Sequence, residues 1–370
     1  MSPITRQPRS TCRRGFGLIV AVGSARIGTS EAHAQELLAE WDSQHGLAKV
    51  DDQFGNSMAP LGDLDADGWP EVIIAAYKYN TSGAFPEAGA AFVMSTKDGS
   101  FLRSHFGSAK FGLFGNAVDG GADLDGDGVA DYIVGAPVER GRQNSSGRVH
   151  VYSGATGAEL YALDGERFSD SFGHDVSFVD DLDGDGTCEV VVVARWWDDP
   201  VAGLGQCGRG YCYSGRRGTL LWTFDGTQQD QWMYSCCPLD DYDNDGIPEV
   251  GFGSIGTGSG AAGEGTFDVV SGASGQSLLQ IAGESAKDSF GRCGRIGDVD
   301  RDGARDVVIG APGHSTAGVF AGRVYVVSGS TYSRLFTFDG PAASEFFGGV
   351  PPRFGEFDAN GDGWTDIVIG

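Results

Sequence analysis

No run of about eighteen apolar residues occurs in this chain of 370 residues, so the sequence predicts no membrane-spanning helix. Basic residues are scarce as well: 26 Lys and Arg stand against 51 Asp and Glu, a formal net charge of -25. Without a basic surface there are no counterions to release from a phosphate backbone, which argues against nucleic acid as a partner. The six histidines, at positions 33, 45, 105, 150, 174 and 314, are scattered and form no legible ligand cluster. His-Glu-x-x-His, Gly-x-Ser-x-Gly, a phosphate-binding Gly-x-x-x-x-Gly-Lys and a dinucleotide fingerprint are all missing, and the chain reads as a non-enzyme. Cysteine is sparse too. Cys12 lies in the N-terminal basic segment, and Cys188, Cys207, Cys212, Cys236, Cys237 and Cys293 follow. Cys12 would leave with an export signal, and the six that remain are an even count, which suits an oxidising compartment but leaves the pairing open. Cys236 and Cys293 fall at equivalent places in consecutive repeats and are candidates for a staple, and Cys207 with Cys212 for a hairpin closure. Vicinal Cys236-Cys237 has no second pair at zinc-finger spacing.

Carboxylates and glycine, by contrast, are abundant and ordered. Asp123-Leu124-Asp125-Gly126-Asp127-Gly128-Val129-Ala130-Asp131 packs four carboxylates into nine residues. Carboxylates at loop positions 1, 3, 5 and 9 can converge on one hard cation. Glycine at position 6 permits the turn that brings the carbonyl of position 7 to the same point, an all-oxygen cage suited to calcium. The pattern occurs six times, beginning at residues 63, 123, 181, 241, 298 and 358. The candidate ligands are Asp63, Asp65, Asp67, Trp69 and Glu71; Asp123, Asp125, Asp127, Val129 and Asp131; and Asp181, Asp183, Asp185, Thr187 and Glu189. They continue with Asp241, Asp243, Asp245, Ile247 and Glu249; Asp298, Asp300, Asp302, Ala304 and Asp306; and Asp358, Asn360, Asp362, Trp364 and Asp366. Position 7 varies freely between Trp, Val, Thr, Ile and Ala, as a backbone ligand allows. The loops hold 23 of the 51 acidic residues, and the remaining 28 nearly balance the 26 cations. The acidity therefore belongs to the ion sites.

Each repeat carries the same strand plan. In the second, residues 114–118, 131–134, 147–153 and 159–163 are four short strands rich in β-branched and aromatic residues and separated by Gly, Asp and Ser. A period near sixty residues accommodates four strands of about 5–6 residues plus turns. Helical flanks, which an EF-hand or dockerin needs, are absent, because the loops run into Glu71-Val72-Ile73-Ile74 or Glu189-Val190-Val191-Val192-Val193. Repeated four-stranded antiparallel units predict an all-β fold, a β-propeller. The third and fourth repeats depart most. Trp196-Trp197 follows the third apolar run, either a ligand platform or blade packing, and Trp232-Met233 stands where the others open with Phe-Gly.

Phe-Gly at residues 54, 114, 172, 290 and 347, Gly-Ala-Pro at 135 and 310, and the Asp-x-Asp-x-Asp-Gly loops resemble FG-GAP repeats. The resemblance covers residues 54–370 and implies the seven-bladed propeller of integrin α-subunit heads, with up to six structural Ca2+ ions rigidifying the blades. Five complete repeats and one partial repeat are present, and the sixth stops after its second strand, so the propeller is expected to be truncated at its C-terminus. Residues 35–53 are the alternative source of a closing strand.

The N-terminus reads as an export signal over residues 1–34. Arg6, Arg9, Arg13 and Arg14 precede a short apolar run, and Ala32-His33-Ala34 has the form of a cleavage site. Arg13-Arg14-Gly15-Phe16 resembles a twin-arginine signal. These features together predict a secreted, cell-surface or periplasmic calcium-binding adhesion module with a protein or glycan ligand. The alternative is a propeller enzyme such as a calcium-dependent polysaccharide lyase.

Overall fold

Runs such as Glu71–Ala76 and Asp131–Ala136 are buried along their whole length, so strands made from them must be covered on both faces. In the computed structural model each is the second strand of a four-stranded antiparallel sheet packed against the sheet of the next repeat. The structure describes residues 52–80, 86–256 and 263–349, together with the backbone of a two-residue pairing of β1 (Leu18–Ile19) with β2 (Glu40–Trp41) that joins none of the other sheets. The first blade is β3 (Phe54–Gly62), β4 (Glu71–Ala76), β5 (Ala90–Ser95) and β6 (Phe101–Phe106). The second is β7 (Ala117–Ala122), β8 (Asp131–Ala136), β9 (Arg148–Tyr152) and β10 (Glu159–Asp164). The third is β11 (Phe172–Val179), β12 (Glu189–Ala194), β13 (Arg209–Tyr213) and β14 (Leu220–Asp225). The fourth is β15 (Met233–Pro238), β16 (Val250–Ser254), β17 (Thr266–Val270) and β18 (Ser277–Ala282). The fifth is β19 (Arg292–Arg295), β20 (Val307–Ala311), β21 (Arg323–Val327) and β22 (Arg334–Asp339).

The fold is thus all-β, with five four-stranded blades among the described residues rather than seven. First strands pack against one another in blade order, and fourth strands such as β18 and β22 are largely exposed. Within a blade the strands pair in sequence order, so each connection is a local hairpin.

Backbone approach at the blade boundaries explains the Phe-Gly and Gly-Ala-Pro signatures. Gly89, Gly147, Gly265 and Gly322, each preceding a third strand, form parallel bridges to Phe114, Phe172, Phe290 and Phe347 of the next repeat. A Cβ on Gly147 would lie 2.1 Å from the Phe172 carbonyl oxygen, and its φ of +91° is unfavourable for any other residue. The glycine after that phenylalanine meets the preceding blade as well. A Cβ on Gly135 would sit 2.2 Å from the Gly173 carbonyl oxygen, and one on Gly310 would sit 2.1 Å from that of Gly348. Phe172-Gly173 and Phe347-Gly348 therefore dock into the Gly-Ala-Pro of the blade before them.

Three expectations change. Gly208 abuts Met233, as Gly147 abuts Phe172, so Met233-Tyr234, and not Trp232-Met233, takes the Phe-Gly place. The preceding blade presents Val193 there instead of glycine, and Tyr234 is absent from the residues with positive φ. Cys207 and Cys212 close no hairpin. Cys207 packs in the core between the second and third blades and Cys212 in the core between the third and fourth, because they face opposite sides of one sheet. The thiols from Cys188 to Cys293 are all unpaired, so Cys236 and Cys293 form no staple, and Cys293 Sγ instead lies 3.2 Å from Ser235 Oγ. The tryptophan pair divides: Trp197 is 3% exposed in the core and Trp196 is 41% exposed.

Gly147→Ala is expected to lower stability by about 3 kcal/mol, because left-handed strain and a rigid backbone clash add. Gly126→Ala, at φ +79° with nothing within 4 Å of its Cβ, carries the strain alone and should cost about 1 kcal/mol. Equal midpoint shifts for the two variants in urea melts would refute the close-approach account.

Candidate metal centre

The acidic loops connect the first and second strands of each blade, and their turn chemistry is the same in all five described copies. Position 6 is a left-handed glycine, with φ of +89°, +88°, +87°, +91° and +99° at Gly68, Gly128, Gly186, Gly246 and Gly303. Position 4 is left-handed too, at Ala66, Gly126, Gly184, Asn244 and Arg301. The first carboxylate accepts backbone N–H groups from inside the turn: Gly128 N donates to Asp123 Oδ2 at 2.9 Å and Asp127 N to Asp123 Oδ1 at 3.2 Å. Asp125 Oδ1 in turn accepts from Asp127 N at 3.1 Å. These bonds turn the carboxylates inward, onto one another.

Position 9 opens the buried second strand in the first three blades, immediately precedes it in the fourth and fifth, and ties the loop down. Glu71, Asp131, Glu189, Glu249 and Asp306 accept the N–H of loop position 2, from Leu64 at 2.7 Å, Leu124 at 2.7 Å, Leu182 at 2.8 Å, Tyr242 at 2.8 Å and Val299 at 2.8 Å. The length of the side chain then matters. Asp131 and Asp306 give their other oxygen to Gly154 N at 2.8 Å and Gly329 N at 2.9 Å, in the turn between third and fourth strands. Glu71 and Glu189 keep a second oxygen that is buried and has no hydrogen-bond partner.

The carboxylate groups close enough to share an ion follow this division. Asp63, Asp65 and Glu71 converge within 4.8 Å, as do Asp181, Asp183, Asp185 and Glu189, and Asp241, Asp243 and Glu249. Asp123, Asp125 and Asp127 form a fourth group, and Asp298, Asp300 and Asp302 a fifth, both without the position 9 aspartate. The sixth set, from Asp358 to Asp366, lies outside the described residues.

An all-carboxylate donor set with orphaned buried oxygens fits a hard divalent cation. Protein groups already lean on several of the sites. Lys97 Nζ lies 3.1 Å from Asp67 Oδ2, Arg217 lies 3.6 Å from Asp183 and 3.5 Å from Asp185, and Ser328 Oγ donates to Asp302 Oδ2 at 3.0 Å. All come from the turn between third and fourth strands, which the spacing of acidic residues does not reveal.

The loops also reach across blade boundaries. A Cβ on Gly154 would lie 3.3 Å from Leu64 Cδ2, one on Gly215 would lie 2.8 Å from Leu124 Cδ2, and one on Gly272 would lie 2.9 Å from Leu182 Cδ2. Position 2 of the first three loops thus packs beneath a turn of the next blade. Trp222 Nε1 of the third blade donates to the Gly272 carbonyl at 2.7 Å in the same sense.

Burial raises the pKa of the position 9 carboxyls, with the neighbouring loop aspartates adding to it: Glu189 to about 8 and Glu249 to about 7. A carboxyl whose folded pKa exceeds its unfolded value favours folding below the unfolded pKa, and that contribution is lost as pH rises through the folded pKa. Metal-free protein should therefore lose stability between about pH 4.5 and pH 8 from these two groups. Calcium should remove the loss and bind more tightly at higher pH. Melts in EDTA and in calcium across that range test this, and identical pH profiles in the two media would refute it.

The family model for the FG-GAP repeat matches residues 114–152 and 294–327, in the second and fifth blades. Integrin alpha-5 of Xenopus laevis is 38% identical over 92 residues, covering 23% of this chain and 8% of its own length. Integrin alpha-V of Gallus gallus is 26% identical over 251 residues, 60% of this chain and 23% of the relative. Integrin alpha-E of Mus musculus is 32% identical over 160 residues, 38% and 13% respectively. The chain thus spans less than a quarter of the length of these relatives. A solved structure of BBS1N in complex with ARL6DN, soaked with lead, aligns at a TM-score of 0.46 and 10% identity over 77% of this chain and 68% of that one, too low to bear on the fold. The second and fifth repeats match the FG-GAP repeat, all five described repeats fold as four-stranded β-propeller blades, and parts of the chain are similar in sequence to integrin α-subunits.

Proposed function

We propose that this chain is an exported, non-catalytic binding and adhesion module whose blades are held by calcium. The observation that carries the reading is the position of the acidic groups. Each joins two strands of its own blade, and the first three anchor a leucine under the next blade, so an ion at the group braces a boundary as well as a turn. Asp181, Asp183, Asp185 and Glu189 would hold the ion most completely, and the carbonyl of Thr187 is the proposed backbone ligand. The bound ion would supply charge neutralisation, relieving repulsion among three or four carboxylates. Similarity to integrin α-subunits supports a protein or glycan ligand, engaged outside the cell where calcium is plentiful. In this reading residues 1–34 are the export signal, and among the described residues no helix is long and apolar enough to cross a membrane.

Mature protein beginning at residue 35 should melt well above its EDTA value in millimolar calcium, since each site filled at a hundredfold excess over its Kd adds about 2.7 kcal/mol. Asp125→Ala should lower the calcium stoichiometry by one and leave the other sites filled. An unchanged melting temperature on adding calcium, or an unchanged stoichiometry in Asp125→Ala, would overturn the calcium reading.

A further inference from the structure

In a protein of net charge -25, an arginine pair without a carboxylate partner calls for an explanation. Arg148, Arg209, Arg295, Arg305 and Arg323 each contact an aspartate. Arg195, which follows β12, and Arg292, which opens β19, have no such partner among the described residues, and the Nε of each is buried without an acceptor. They flank one ring. The guanidinium carbons lie 5.0 Å and 4.1 Å from the centroid of Tyr234, and Arg292 Nη1 donates to the Tyr234 hydroxyl at 2.8 Å. His174 closes the group from the side, edge-on to Tyr234 at 4.8 Å. Burial and the adjacent Arg292 lower the pKa of Arg195, and burial with both arginines lowers that of His174. Two clustered guanidiniums with unmet donors are costly unless an anion completes them.

Tyr234 is there because the fourth blade departs from the Phe-Gly pattern, and the other repeats have glycine at that place. Arg292 also lines a cleft of about 630 Å³ with Lys287, Phe320 and Phe346. The two phenylalanine rings are stacked, 5.7 Å apart at 13°, yet remain 37% and 50% exposed. An exposed aromatic stack beside Lys287 and Arg292, with Arg195 across the Tyr234 ring from Arg292, offers an apolar face and charge-assisted donors together, which fits a sugar ring carrying a carboxylate.

We infer that Arg195, Arg292 and the adjoining aromatic cleft form a binding site for an acidic saccharide. This gives a ligand class to the binding module proposed above, and it does not depend on the calcium reading. The probe is a glucuronate-containing tetrasaccharide, with its uncharged methyl ester and tetra-aspartate as comparison ligands, titrated by calorimetry in millimolar calcium. The acid should bind saturably, and the ester at least tenfold more weakly. Arg195→Gln and Arg292→Gln should each weaken the acid at least tenfold with the calcium-dependent melt unchanged, and the more peripheral Lys287→Gln about threefold. Without ligand, Arg195→Gln should raise the melting temperature, because it removes one of two uncompensated like charges. Absence of saturable binding, equal affinity for acid and ester, or wild-type affinity in both arginine variants would overturn the site. Arginine-dependent binding of tetra-aspartate alone would overturn the saccharide class. Loss of the calcium-dependent melt in wild type would overturn the calcium reading and leave this one standing.

Discussion

Contact between backbones at the blade boundaries is the constraint on which the rest of this structure depends. A phenylalanine carbonyl of one repeat rests where a side chain would stand on a glycine of the repeat before it. The next residue, again glycine, presses on the second strand of that same neighbour. Sheets can stack this closely only if those positions carry no Cβ. Close stacking in turn buries both faces of β4, β8, β12, β16 and β20. The uniform apolar runs, the inward first strands and the exposed outer strands all follow from that spacing.

At the opposite end of each strand pair the acidic loops use a different device for a related end. Their carboxylates are oriented by N–H groups of the turn itself, while the leucine or other residue at position 2 reaches outward. The charge that makes a loop repel itself is gathered beside a contact between blades. Neutralising it therefore acts on two elements at once. The difference between glutamate and aspartate at position 9 is one methylene. Glu71 keeps a buried oxygen facing its loop, whereas Asp131 spends both oxygens on backbone N–H groups.

Much of this was legible in the sequence, for physical reasons. A nine-residue loop with fixed carboxylate spacing followed by a β-branched run states both the turn and the strand after it, so the second strands were placed to within a residue or two. The four-strand plan followed from period and punctuation. The relations between repeats were not legible. Neither residue of Met233-Tyr234 resembles Phe-Gly, and contact with Gly208 fixes the register. Cys207 and Cys212 look close in sequence, but Cys207 precedes β13 and packs in the core between the second and third blades, whereas Cys212 lies within β13 and packs in the next core. The arginines beside Tyr234 come from different blades and have no sequence spacing to announce them.

The boundary contacts join a glycine of one repeat to the opening residues of the next. Val193 and Tyr234 show what this entails: where the third blade carries valine in place of glycine, the fourth carries tyrosine in place of glycine. The unit of sequence duplication and the unit of fit are therefore out of phase. A repeat copied whole carries half of two different joints, and a change in one half is answered in the neighbouring copy. Repeats of this chain are free to diverge in adjacent couples, and a departure such as that of the fourth blade opens room for a side chain where every symmetrical joint has none.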